Sequence, residues 1–412
     1  MNHNFKKNAI WNTIGITINS FNSLFFLIII NRINGVDIAG IFSFAFSVAC
    51  LLYIVGIYQG RIFQVSDTKE ELTNREYFVH KIISCGIMMV SAFLFIFIKN
   101  YSFEKNTVII LLCLYKCVEA FDETLFAYLQ KNDELYLVGK SYFYRSFSGI
   151  VLFFLIDYFK KNIVISCVVL LLNSLLFLIF YDFKNSLKYI VGDKIRWSRV
   201  CMLYRIGFSV FAFSFLSVYI VNIPKYILDV FMSNSYQTIF GIIVMPGTVV
   251  SLCGQYITSP VLTHIVDAFN NKDFQKFNQL MKKMTLLLLG AGMFIEIVAF
   301  FLGIPVLNIV YAINLNDYKL DLLIIIFGAL LYATAGVFST AMITMRKNNV
   351  QLIIYIIDAL IGMFACYYAI GNYGIHGATA GYVITMSCHF IMYAIIYTRE
   401  IKKLERGAVF QL

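Results

Sequence analysis

The chain is 412 residues long and 60% apolar, and only 14% of it is charged, well below the roughly 25% of a soluble protein. Its mean hydropathy is +0.77, and at about 20 residues per crossing the apolar residues fill about twelve bilayer spans. This excludes a soluble globular enzyme, a disordered chain and a single-anchor protein, and leaves almost no length for a domain outside the membrane.

Apolar runs broken by polar clusters predict spans near 9–31, 38–60, 80–98, 107–129, 139–158, 162–181, 203–223, 236–258, 283–304, 320–343, 350–370 and 377–397. The first run follows a basic N-terminus, but it is too long for a signal peptide and no A-x-A-like site closes it, so it reads as a retained span. Only NRINGVD separates the first two spans, a tight helical hairpin. The expected architecture is an all-α polytopic membrane protein. A six-helix bundle covers 1–182, a basic linker 183–202, a second six-helix bundle 203–398, and a tail 399–412.

Of the 33 lysines and arginines, 25 fall on the side of the N-terminus and seven on the other, with Lys116 inside a span. Cations favour cytoplasmic loops, so both termini are expected in the cytoplasm, which an even span number requires. The net charge of +10 thus reflects topology and anionic lipid headgroups rather than nucleic acid. The nine cysteines lie almost all in apolar runs without CxxC spacing, and the five histidines are dispersed, so no metal site is expected. No Walker A loop, HExxH or GxSxG occurs, and no external loop could house a catalytic domain; neither an enzyme nor a cofactor is expected.

Residues 39–67 match 237–267, with Ile41-Phe42 opposite Ile239-Phe240, and LQKND (129–133) matches MRKNN (345–349) at a span end. Two matches in the same order point to duplicated halves. With six spans each, the halves enter from the same side, as a parallel repeat about the membrane normal.

A charge in mid-membrane costs about 2.5–3.5 kcal/mol on insertion scales, so each one needs a reason. The fourth span carries Lys116, Glu119, Asp122 and Glu123, and Gln130 continues the stripe over about four turns. Such a face lies on a protein seam or a hydrated cavity. It is either a self-neutralising weld between spans or a wall that handles substrate charge or a coupling ion. Glu296 and Asp358 stand alone in their spans, where pairing across helices or titration is expected, and His389 reads as a packing residue. Arg145 and Arg205 lie within two turns of the cytoplasmic face and can snorkel. Arg32 and Lys225, at the external ends of the first and seventh spans, occupy equivalent places in the two halves, and Arg61 closes the second span after Gly60. Facing a shared cavity, these cations suit a phosphate or an acidic sugar; otherwise they are interfacial anchors. All four prolines are in the C-terminal half, and Pro246 is expected to kink the eighth span.

Several stretches carry a family resemblance: GVDIAGIFSFAFSVACLLYIVGIYQGRIFQVSD, LYKCVEAFDETLFAYLQKNDELYLVGKSYFYRSF, NIPKYILDVFMSNSYQTIFGIIVMPGTVVSLCGQYITSPVLTHIVDAFNNKDFQKF and NYGIHGATAGYVI. Over nearly its whole length the chain resembles the polysaccharide-transporter, or repeat-unit flippase, branch of the multidrug/oligosaccharidyl-lipid/polysaccharide exporter superfamily. The resemblance implies two six-helix bundles around a central cavity, alternating access, and a cationic lumen. It also implies transfer of undecaprenyl-diphosphate-linked oligosaccharide across the bacterial cytoplasmic membrane for O-antigen or capsule. The polymerase and chain-length regulator of the same pathway are implied partners.

Onto this chain it carries Lys116, Glu119, Asp122, Gln130, Arg145 and Lys225 as substrate-handling residues. Position 225 is commonly Arg in the family, and Lys lacks the bidentate grip on phosphate. With Arg32 and Arg61 these form the expected substrate site, while Glu119, Asp122, Glu296 and Asp358 are the expected sites for H⁺ or Na⁺ coupling. The alternatives are a cation-coupled multidrug exporter, a lipid II flippase, which usually has extra spans, and a polysaccharide polymerase, which usually has a long Arg-rich external loop that this chain lacks.

Overall fold

The structure, a computed structural model, describes residues 3–67, 71–190 and 195–409, with side chains from 6 to 404. Lys69 and Lys194, counted above among the loop cations, and positions 410–412 of the expected tail lie outside the described residues.

The described chain is all helical. Two compact units, Met1–Phe215 and Leu216–Leu412, divide it. In the first, α1 (His3–Ile33) packs along α6 (Leu135–Lys160), α2 (Val36–Ile57) along α5 (Phe103–Lys131), and α4 (Asn74–Lys99) against α2 and α5. The short α3 (Gly60–Ser66) lies on α5, and α7 (Ile163–Phe177) continues through a π-helical turn, Leu178–Phe183, into the single turn α8 (Lys184–Ser186). Helix α9 (Trp197–Phe231) begins in the first unit and ends in the second. The second unit contains α10 (Asn234–Thr258), α11 (Leu262–Asn270), α12 (Phe274–Val298), α13 (Ile304–Tyr311), α14 (Lys319–Thr344) and α15 (Asn348–Val409). Gly374, at φ 59° and ψ −132°, reverses α15 into a hairpin of two arms, 348–373 and 375–409.

Nine helical stretches among the described residues are long and apolar enough to cross a membrane. They reconcile with twelve spans through α5 and α6, long enough but too polar to score, and through the two arms of α15. Large apolar side chains such as Phe97, Ile309 and Phe364 are exposed. On a multi-pass membrane protein these are the faces that meet lipid rather than water. Helix starts follow local chemistry: Thr73 and Glu76 form a reciprocal capping box on α4, and the Asn162 side chain accepts from Val164 and Ile165 N–H at the start of α7. At the α1–α6 seam, a Cβ on Gly139 would meet the Trp11 backbone, and one on Gly15 would meet the Gly139 carbonyl. Glycine at both positions lets the two backbones approach closely, as small residues do between membrane helices.

The breaks between helices fall away from Pro246. Helix α10 runs on through Pro246 to Thr258; the interruption comes later, at the 3₁₀ turn Ser259–Val261 that contains Pro260. The proline-free second span, by contrast, does break. Tyr58 and Gln59 separate α2 from α3 with φ of 38° and 54°.

Candidate functional site

The polar stripe of α5 is real and is met from three sides within the first unit. Lys116 Nζ donates to Glu119 Oε2 at 2.6 Å, one turn away, and its ammonium lies 5.0 Å from the Phe46 ring centroid and 5.4 Å from that of Tyr115. Arg61, on α3, donates from Nη1 to both Glu123 oxygens at 3.2 and 3.3 Å, and from Nε and Nη2 to Gln130 Oε1 at 3.0 and 2.9 Å. The Tyr142 hydroxyl, on α6, donates to Glu123 at 2.8 Å. Arg145, also on α6, pairs through Nη1 with Asp122 Oδ2. Thus each of the three carboxylates of the stripe pairs with a cation, in two cases from a neighbouring helix.

Access to these pairs is graded. Side-chain exposure is 23% and 14% for Arg61 and Glu123, 13% and 6% for Lys116 and Glu119, and 2% and 0% for Arg145 and Asp122. Arg61 is the most accessible of the three cations, whereas Arg145 is sealed. Snorkelling therefore does not describe Arg145: its guanidinium turns to Asp122, and its carbonyl accepts from Asn173 Nδ2 at 3.0 Å. Arg145 Nε and Nη2, Asp122 Oδ1 and both oxygens of buried Asp182 find no hydrogen-bond partner among the described residues. Arg32 is exposed in the last turn of α1.

The second unit is built differently. Asp358, in the first arm of α15, meets His389 Nδ1 of the second arm at 2.6 Å, both buried. The His389 ring lies against Tyr355, Tyr332 and Tyr393, with centroids 5.0, 5.2 and 4.8 Å away. It faces a cavity of about 310 Å³ lined also by Gln255, Tyr332, Ser339, Thr340 and Tyr355. Beside it Gln351 Oε1 accepts from Ser339 Oγ at 2.5 Å and from the Tyr393 hydroxyl at 3.0 Å. Glu296, near the end of α12, leaves Oε2 buried without a hydrogen-bond partner among the described residues. Lys225 is half-buried in α9 next to Pro224, and its carbonyl accepts from Gln237 Nε2 at 2.6 Å.

Sequence reasoning did not assign Tyr142, Asp182 or Lys81 to the site. Tyr142 had no signal beyond its place on a span. Asp182 and Lys81 were placed at span edges, because hydropathy alone does not show how far a helix extends.

Comparisons with known proteins follow from this geometry. No protein-family model matches the chain. It is 23% identical to the capsular polysaccharide biosynthesis protein CapF of Staphylococcus aureus over 378 residues, covering 90% of this chain and 94% of that protein. Among solved structures, an inward-facing multidrug resistance MATE family transporter of the MOP superfamily superposes with a TM-score of 0.73 at 12% identity, covering 96% of this chain and 99% of that one. The lipid II flippase MurJ, inward closed, gives 0.72 at 13% identity, over 97% and 91%. The chain has the exporter fold of these transporters. It is an all-α, multi-pass membrane protein, and the resemblance to the polysaccharide exporters has an end-to-end counterpart in CapF.

Proposed function

We propose that the protein flips lipid-linked oligosaccharide repeat units, carried on undecaprenyl diphosphate, from the cytoplasmic to the outer leaflet of a bacterial inner membrane for surface polysaccharide. The reading rests first on the end-to-end likeness to a capsular polysaccharide biosynthesis protein, in a fold shared with a lipid II flippase. The geometry adds the graded wall. Arg61 holds Glu123 and Gln130 in a partly open setting, and its guanidinium can exchange a carboxylate for a diphosphate through paired charge-assisted hydrogen bonds. Lys116 stands one step deeper, and sugar hydroxyls find acceptors on Glu119 and Glu123. The prenyl chain stays in lipid while the head group crosses. Arg32 and Lys225 supply further cations along the path.

H⁺ or Na⁺ coupling is assigned to the second unit, where Asp358 and His389 adjoin a polar hollow. The polymerase and chain-length regulator of the pathway are the proposed partners, and both termini are proposed to lie in the cytoplasm.

The test is flipping of a fluorescent lipid-linked oligosaccharide in proteoliposomes. Transfer that depends on the protein and falls when Arg61 and Lys116 are neutralised supports the reading. Transfer equal to empty vesicles, together with efflux of small organic cations, would replace it with the multidrug-exporter reading, which the MATE likeness and the self-balanced charges of the α5 stripe favour.

A further inference from the structure

Helix α2 ends at Ile57 and α3 begins at Gly60. The two residues between, Tyr58 and Gln59, have left-handed backbones without being glycine, a conformation that persists only where the surroundings fix it. The break leaves the last carbonyls of α2 without helical donors and points the negative end of its dipole into the protein. Tyr58 N–H bonds Ile54 O at 3.1 Å. Lys81, on α4, reaches two more: its Nζ donates to Gly56 O at 3.1 Å and to Ile57 O at 2.9 Å, and its side chain is fully buried. It forms no salt bridge among the described residues; the helix end, together with the nearby charge of Glu123, offsets its own.

Two carbonyl oxygens at an open helix C-terminus are the kind of ligands that the helix ends of membrane transporters offer to a free monovalent cation. We infer that Lys81 is a tethered cation. Its ammonium fills, from within the chain, a monovalent-cation site at the broken second span, and so acts as a positioning residue for Arg61, four residues past Ile57.

The surroundings are built to keep this break. A Cβ on Gly56 would lie 2.8 Å from Met88 Sδ and 2.9 Å from Ala120 Cβ, so the carbonyls Lys81 reaches lie on a closely packed backbone. The Tyr58 ring stacks on Phe211 at 4.5 Å and its hydroxyl donates to Tyr204 O at 3.0 Å; Gln59 Nε2 donates to Ser214 Oγ at 2.9 Å. The Tyr204 hydroxyl in turn donates to the carbonyl of His80, the neighbour of Lys81. Beyond the break, Arg61 and Gln64 tie α3 to α5. The cation therefore holds the end of α2, directly before the helix that restarts and carries Arg61.

The cation site stands without the flippase reading; its consequence for Arg61 rests on that reading. The experiment compares the purified full-length protein with Lys81→Met and Lys81→Ala, by thermal unfolding in detergent without substrate and by flipping in proteoliposomes. Both variants are expected to melt several degrees lower, and flipping to fall about tenfold or more, as loss of a charge-assisted pair of hydrogen bonds implies. Propylammonium, the fragment that Lys81→Ala removes, should restore Lys81→Ala saturably and leave Lys81→Met unchanged. Tetramethylammonium, which has no N–H donor, should restore neither. Should Lys81→Ala aggregate in plain buffer, the yield of monodisperse protein extracted with and without propylammonium is the readout, and recovery only with it supports the site. A Lys81→Ala protein whose melting and recovery no ammonium, sodium or potassium ion improves overturns the proposal. Restored melting without flipping even in the native protein would overturn the flippase reading and leave the cation site standing.

Discussion

The two units treat polarity in opposite ways. The first spends it on fixed charge: Arg61, Lys116 and Arg145 each hold a carboxylate of α5. The second carries one buried acid–base pair, Asp358 with His389, beside a hollow lined by hydroxyls and amides. Their backbones differ in the same sense. Broken helix in the first unit is held by side chains, with Lys81 on the carbonyls of α2. In the second it falls next to Pro260, at the π-helical turn Ala299–Gly303 just before Pro305, and at Gly374. A pre-paired wall resists change until a ligand competes for one of its ions, whereas a hydrated hollow can take up a small ion without breaking anything. That contrast argues for substrate charge at the first unit and coupling at the second.

The most severe test of the first half is Asp122→Ala. It leaves Arg145 buried and unpaired, and breaking such a pair costs about 3–5 kcal/mol, which thermal unfolding in detergent would register. Removing both charges together, Asp122→Leu with Arg145→Met, is expected to recover most of that loss. Recovery of transport as well would make the pair a weld and not a part of the path. Next comes Gly139→Ala, which drives a methyl into the Trp11 backbone and is expected to cost about 1–3 kcal/mol. Its effect should be on folding yield and melting, with Km for the lipid-linked substrate unchanged.

Arg61→Gln is milder for stability. The pair is partly exposed, and Glu123 keeps the Tyr142 hydroxyl, so about 1 kcal/mol or less is expected. Flipping should nevertheless fall about tenfold, because an amide cannot hold a diphosphate with paired charged donors. Equal flipping by the variant and the native protein would move the substrate contact away from Arg61.

How much of this was legible in the sequence follows from what hydropathy can measure. All twelve spans are legible as apolar runs broken by polar clusters, α5 and α6 among them although they carry the most charge. The α5 stripe was legible because Lys116, Glu119 and Glu123 sit on one helical face whatever surrounds them. Their partners were not: Lys116 reaches Glu119 within one turn, but that Glu123 closes on Arg61 is decided only by the packing of α3 on α5. The break at Tyr58 and Gln59 has no proline to mark it. It exists because Lys81, Tyr204 and Phe211, far away in sequence, stabilise an open helix end. Lys81 was counted among loop cations for the same reason, since a lysine at a span edge has the same composition whether it faces water or two carbonyls.

The smallest structural change, and the sharpest test of the second half, is Asp358→Asn. Asparagine keeps the shape and can still accept the hydrogen bond from His389, so melting should shift by about 1 kcal/mol or less. What it removes is the negative charge in a buried pair that adjoins the hollow. If a coupling ion is taken up there, flipping driven by an imposed pH or sodium gradient should drop to the rate seen without a gradient. The rate without a gradient should stay near native, because the Arg61 wall is untouched. Comparing the two gradients in the native protein then identifies the ion. A variant that still responds fully to both would leave Asp358 and His389 as a clasp between the two arms of α15, and Glu296, with its buried unpartnered oxygen, would become the acid to neutralise next.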